Sequence, residues 1–221
     1  MKPLSECRLY AFVDTAYLNG RSPETIAQQL CDGGADLIQL RAKQLPADDI
    51  RRIAEALLPI TSKAGIGLVV NDHPRIALDV GAPVCHLGQE DFFDAGHAHV
   101  SEVIGEVGSS SPRPPELRIG LSTHAPEQAL RAVAAGADYV AIGPVFATGT
   151  KPTAKPVTLE YVRWASTHLA VPWFAIGGIN LSTLDEVLAA GARRICVVSA
   201  ILNSPDIAKA CRRFVNRVRE A

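Results

Sequence analysis

What this sequence lacks removes several classes of protein. No sign of charge dominates: 22 basic and 23 acidic residues leave a formal net charge of −1, so no overall field draws the chain to nucleic acid or to an anionic membrane surface. Any site for an anion has to be built locally. No apolar run approaches the ~20 residues that a membrane span needs, and Met1 to Tyr10 lacks the apolar stretch of a secretory signal, which makes the cytoplasm the expected compartment. Cysteine is present but unorganised. Cys7, Cys31, Cys85, Cys196 and Cys211 form an odd set with no Cys-x-x-Cys spacing, which argues against a disulfide framework and against a thiolate zinc site. They read as packing residues. Nor does a Gly-x-Gly-x-x-Gly turn follow the first apolar run, which argues against an open, doubly wound sheet.

What is present is a repeated pattern. The 221 residues, 48% hydrophobic and 20% charged, suit one α/β domain spanning residues 1–221. Short apolar runs, continuous rather than alternating, recur at Leu9–Val13, Leu37–Leu40, Gly67–Val70, Val84–Leu87, Leu117–Leu121, Tyr139–Ile142, Trp173–Ile176 and Ile195–Val198. Continuous runs suit strands covered on both faces, as in a parallel sheet. Between them lie helical segments: one opened by Ser22-Pro23, then Ala47–Ser62, Pro74–Val80, Ala95–Val107, Pro126–Ala135, Leu159–His168 and Leu181–Ala190, with Asp206–Arg219 last. Ser22 reads as an N-cap with proline at the first helical position. Gly33-Gly34-Ala35-Asp36, Gly136-Ala137-Asp138 and Gly191-Ala192-Arg193 repeat one helix-ending turn. Units of about 28 residues each predict a single (β/α)8 TIM barrel. The serine- and proline-rich Gly108–Pro115 precedes a strand, which assigns it to the face away from the chemistry.

In such a barrel the chemistry sits in the loops after the strands, and the unusual residues collect there. Strand two is followed by Gln39, Arg41 and Lys43, strand three by Asn71 and Asp72, and strand four by Gly88 to Asp91. Ser122-Thr123-His124 ends strand five. Thr148-Gly149-Thr150-Lys151 follows strand six, Gly177-Gly178 ends strand seven, and Val198-Ser199 ends strand eight. Two cations flanking one position suit phosphate oxygens. Asn71-Asp72 could merely cap a helix, but Asp72 and Asp91 on adjacent strand ends could share a hard cation such as magnesium. Hydroxyls, glycine and an ammonium at 148–151 suit a phosphate or a lid over one, and glycines after strand seven let backbone N–H groups approach an anion. His86 reads as a core residue and Cys85 as packing, while His124 stands open between ligand contact and none. His97 and His99 fall at i, i+2 on the expected Ala95–Val107 helix, a spacing that puts them on different faces.

Taken in order, Gln39-Leu40-Arg41-Ala42-Lys43, Asn71-Asp72, His86-Leu87-Gly88-Gln89-Glu90-Asp91, Ser122-Thr123-His124, Gly143-Pro144-Val145-Phe146, Thr148-Gly149-Thr150-Lys151, Ala175-Ile176-Gly177-Gly178-Ile179 and Val198-Ser199 resemble thiamine-phosphate synthases. Two departures stand out: Ala42 occupies a position where the family often carries an acid, and the Gly108–Pro115 loop is longer than usual. The resemblance implies a transferase that joins hydroxymethylpyrimidine diphosphate to a thiazole phosphate and releases diphosphate, through a pyrimidine cation. It implies that Gln39, Arg41, Lys43, Asn71 and Lys151 bind the pyrimidine diphosphate, that Asp72 and Asp91 hold Mg²⁺, and that Ser122 assists near the reacting centre. Thr148, Thr150, Gly177, Gly178, Val198 and Ser199 would hold the thiazole phosphate. Arg41, Lys43, Ser122 and Lys151 are the implied catalytic groups. Mg²⁺ with the two carboxylates sums to zero, and Arg41, Lys43 and Lys151 then match a diphosphate of roughly three negative charges. The alternatives are a thiazole tautomerase-like isomerase, which needs no magnesium carboxylate pair, and a non-catalytic sensor of a phosphorylated metabolite. Small-molecule substrates are the expected partners, with no nucleic acid and no membrane, and the sequence is compatible with a homo-oligomer.

Overall fold

The computed structural model describes residues 1–105, 117–148 and 155–220. Strands β1 (Leu9–Asp14), β2 (Leu37–Arg41), β3 (Gly67–Asn71), β4 (Val84–Leu87), β5 (Arg118–Thr123), β6 (Tyr139–Ile142), β7 (Trp173–Ala175) and β8 (Ile195–Cys196) pair in chain order and close into a parallel barrel. Closure is made by β8 on β1, with Leu9 opposite Ile195 and Tyr10 opposite Cys196. The continuous apolar runs are buried along nearly their whole lengths, because the strands face helices outside and one another's side chains inside. Tyr10 and Phe12, two residues apart on β1, point to the same face. Their rings stack 5.2 Å apart, and Tyr10 meets Phe174 of β7 edge-on. This aromatic layer fills the barrel's middle and becomes the floor of the site.

The outer helices are α1 (Pro23–Asp32), α2 (Ala47–Lys63), α3 (Pro74–Val80), α4 (Val100–Gly105), α5 (Pro126–Ala134), α6 (Thr158–His168), α7 (Leu184–Ala189), α8 (Ser199–Leu202) and α9 (Ile207–Arg219). Ser22 caps α1 by accepting from the Thr25 N–H, as its sequence predicts. The repeated turns share one geometry. Gly34, Gly136 and Gly191 take left-handed backbone, and the next residues, Ala35, Ala137 and Ala192, return their N–H groups to Leu30, Ala132 and Val187 of the helix just ended. Two of these turns then use an aspartate to start the sheet: Asp36 accepts from the N–H of Arg8 and Leu9, and Asp138 from that of Ile119. No helix among the described residues is long and apolar enough to cross a membrane.

Several boundaries differ from the sequence reading. The expected helix Ala95–Val107 begins only at Val100, because a π-helical turn, Glu90–Asp94, comes first and ends in left-handed Gly96. His97 and His99 thus lie in the irregular segment before α4 rather than on a helix. The expected helix Leu181–Ala190 is shortened to α7, since the Asn180 side chain accepts from Ser182 and Thr183 N–H and holds a turn there. Strand five starts one residue later and runs to Thr123, whereas the eighth stops at Cys196. The residues after it form the short helix α8, which sequence reading did not foresee. Gly108–Pro115 lies outside the described residues.

Candidate active site

A cavity of about 380 Å³ opens at the carboxyl ends of the strands. Its walls include Gln39, Arg41, Lys43, Asn71, Asp72 and Asp91 from the β2, β3 and β4 ends. Ser122, Thr148, Gly177, Gly178, Val198 and Ser199 line it from β5 onward. The described members of the sequence-predicted set are therefore brought together, while Thr150 and Lys151 lie outside the described residues.

The β1–β4 side is built from charge. Asp14 and Arg41 are register partners on adjacent strands, and the Arg41 guanidinium donates to Asp14 Oδ2 at 2.8 Å. Asp14 is 1% exposed, so this carboxylate depends on that pair and on the Ala16 N–H for its solvation. Lys43 lies 3.1 Å from Asp72 Oδ2. Asp72 itself has left-handed backbone, φ 62°, an uncommon conformation for a non-glycine residue and of the kind that collects at working sites. Its N–H donates to the His86 carbonyl, which ties the end of β3 to β4. Burial is the main reason the Asp72 carboxyl is held above its ordinary range; Lys43 opposes the rise and the neighbouring Asp91 carboxyl adds to it.

Asp91 reaches this position from the π-helical turn. π turns are wider than α turns and occur often at functional sites. Here the turn sends Phe92 and Phe93 into the core and Asp91 to the cavity. The Arg131 guanidinium sits 3.7 Å over the Phe93 ring, pinning the turn to α5. Gly88 gives Asp91 its room, since a Cβ there would lie 2.9 Å from Asp91 Oδ2.

The β6–β8 side is built from backbone. Gly177 and Gly178 have φ of 100° and 66°, and the β6 loop crosses directly over them through Val145 N–H to Ile176 O and Phe146 N–H to Gly177 O. A Cβ on Gly177 would sit 2.4 Å from Pro144 Cα, and one on Gly178 2.7 Å from the Ala147 carbonyl. Only glycine fits either position.

Sequence reasoning missed several groups here. Asp14 carried a signal, a carboxylate closing the first strand, but its partner follows only from the β1–β2 register. His86, read as core, is buried yet faces the cavity with Nε2 2.9 Å from Ser122 Oγ. The Gln89 amide donates to the Ser122 carbonyl. His124 lines the cavity with its ring turned to the Gly143 carbonyl. Cys85 is buried away from it, its thiol pushed up chiefly by that burial.

Fold and cavity together define the class: a TIM-barrel enzyme acting on a small molecule. The chain belongs to the thiamine monophosphate synthase family, whose model matches residues 9–201, and it is a transferase. It is 42% identical over 193 residues to a thiamine-phosphate synthase of Thermus thermophilus, covering 84% of each chain. With one of Shouchella clausii it shares 36% identity over 222 residues, 100% of this chain and 99% of that one. The solved thiamine phosphate pyrophosphorylase of Pyrococcus furiosus superposes with a TM-score of 0.85 at 30% identity, over 99% of this chain and 98% of that one.

Proposed function

We propose that the protein joins hydroxymethylpyrimidine diphosphate to a thiazole phosphate, with magnesium bound at Asp72 and Asp91. The observation that carries this reading is that those two carboxylates line one cavity with Lys43, which lies 3.1 Å from Asp72 Oδ2. Two hard oxygen donors sharing one partly compensated space are the donor set of a hard divalent ion. When bound, that ion supplies positive charge to diphosphate oxygens.

The chain's own residues then divide the work. Arg41 and Lys43 face the diphosphate, joined by Lys151 from the β6 loop. As the bond between the pyrimidine methylene and the diphosphate oxygen breaks, its electron pair leaves with the oxygen, and these cations lower the cost of that charge. The thiazole ring nitrogen then donates its pair to the methylene carbon. No nucleophilic side chain takes part. Gln39 and Asn71, hydrogen-bonded to each other at 3.0 Å, present amide groups to the pyrimidine, and Ser122 stands beside the reacting carbon. Gly177 and Gly178 offer backbone N–H groups to the thiazole phosphate, with Thr148, Thr150, Val198 and Ser199 around it. The five cysteines are free, which supports a reducing, cytoplasmic setting.

The test is turnover. With both substrates and Mg²⁺, diphosphate and thiamine phosphate should form together, and a chelator should stop both. Asp72→Ala should lower kcat by about a thousandfold while the far-ultraviolet circular dichroism is unchanged. Isomerisation without diphosphate release would favour a tautomerase, and binding without product a sensor; near-normal turnover of Asp72→Ala would refute the metal assignment.

A further inference from the structure

A row of hydrogen bonds crosses the cavity floor from β5 to β3. Ser122 Oγ lies 2.9 Å from His86 Nε2, His86 Nδ1 lies 3.0 Å from the Tyr139 hydroxyl, and that hydroxyl lies 3.1 Å from the Tyr10 hydroxyl. Tyr10 donates to Gln39 Oε1, and Gln39 Nε2 donates to Asn71 Oδ1. The row joins six strands in the order β5, β4, β6, β1, β2 and β3.

Such a row has a direction, because a hydroxyl has one proton to give. Gln39 sets it, with its amide on Asn71 and its carbonyl on Tyr10. Tyr10 therefore accepts from Tyr139, Tyr139 accepts from His86 Nδ1–H, and His86 Nε2 accepts from Ser122. Burial raises the Tyr10 and Tyr139 phenols well above their ordinary range, so both keep the protons the row uses. The surrounding chain makes room for it. Gly120 lies opposite Tyr139 in the β5–β6 register, and a Cβ there would sit 2.0 Å from Tyr139 Cζ and 2.5 Å from its oxygen. Phe174 packs edge-on against the Tyr139 ring, and His86 stacks on it.

We propose that Tyr139 is a positioning residue for the transfer: it holds His86 as the Nδ1–H tautomer, so that Ser122 meets the substrate only as a hydrogen-bond acceptor. The tautomer of a histidine is set by the bond its other nitrogen makes. With its one proton committed to His86, Ser122 keeps only lone pairs for the cavity. An oxygen without a proton to offer suits a heteroaromatic ring that gains positive charge, or an N–H on that ring, and is unfavourable beside a phosphate. The row thus favours a ring over a phosphate at this point of the cavity. This inference rests on the synthase reading for its reaction, but not for its tautomer.

Tyr139→Phe removes the hydroxyl and keeps the ring. In histidine-labelled wild-type protein, proton–nitrogen NMR should find His86 protonated at Nδ1. In the variant the proton should move to Nε2, and kcat should fall about tenfold with KM changed by less than about twofold. In a Ser122→Ala background the same substitution should alter kcat by less than about twofold, a non-additivity that a purely structural role would not produce. A wild-type His86 protonated at Nε2 overturns the proposal, as does a variant with unchanged tautomer or unchanged kcat. Should Tyr139→Phe not fold, Tyr10→Phe breaks the same row one bond further along, and the wild-type spectrum decides the tautomer unaided. Absence of diphosphate release by the wild type would sink the synthase reading instead, a result separate from the spectrum.

Discussion

The two sides of the cavity rim are made of different materials. On the β1–β4 side, side chains carry formal charge: Asp14 against Arg41, Lys43 against Asp72, and Asp91 beside them. On the β6–β8 side the walls are backbone and small hydroxyls, around Gly177, Gly178 and Ser199. The difference teaches where function and fold separate. A charged side chain held in a half-buried wall serves a ligand at a cost to the empty protein. A glycine that the crossing chain of the β6 loop requires serves the fold first. Substitutions on the glycine side should therefore lose stability and binding together, whereas on the charged side stability should be separable from binding once any stranded partner charge is also removed.

The largest effect belongs to Gly177→Ala. The new Cβ would meet Pro144 Cα at 2.4 Å on a backbone of φ 100°, a clash with main chain that no rotamer relieves. Denaturant unfolding should show a loss of about 3 kcal/mol or more, and KM for the thiazole phosphate should rise with it. Unchanged stability would break the contrast at its stronger end. Arg41→Ala comes next. It leaves Asp14, 1% exposed, with the Ala16 N–H as its one remaining hydrogen-bond partner among the described residues, which should cost about 2 kcal/mol, less than a fully dry pair because the cavity admits water. Adding Asp14→Asn should return most of the stability but none of the turnover, and recovery of both would mean that the cation's work is structural.

Much of this was readable before any coordinates. Continuous apolar runs closed by polar residues gave the strands, because parallel strands are covered on both faces. The barrel then puts chemistry at strand ends, which pointed to Arg41, Lys43 and the pair Asp72 and Asp91, whereas a role for Ser122 came only from the family resemblance. What could not be read was pairing across the barrel. Asp14 meets Arg41 through a one-residue choice of register. His86, Tyr139 and Tyr10 are far apart in the chain: the first two meet across β5, and Tyr139 meets Tyr10 across the interior of the closed barrel. The turn Glu90–Asp94 escaped for another reason: a single π-helical turn is too short to show a period. It delayed α4 and placed Asp91 by the same stroke.

The smallest effect, and of opposite sign, is expected for Asp72→Asn in metal-free protein. The folded-state pKa of Asp72 lies above its ordinary value of 3.8, chiefly through burial. For a carboxyl raised in this way, the unfolded chain releases the proton more readily than the folded one. The ionised group therefore costs stability at neutral pH, and that cost is relieved as pH falls through the folded pKa towards the unfolded one. Asparagine removes the charge at all pH values. Its loss to Lys43 is small, since that ammonium is 43% exposed and its pair is screened by water. Thermal unfolding near neutral pH should thus show Asp72→Asn at least as stable as the parent, by up to about 1 kcal/mol, with the advantage shrinking as the solution is acidified. Added Mg²⁺ should raise the parent's Tm and leave the variant's in place. A variant less stable than the parent at neutral pH would show that the Asp72 charge supports the fold, and the division between the two sides of the rim would no longer hold.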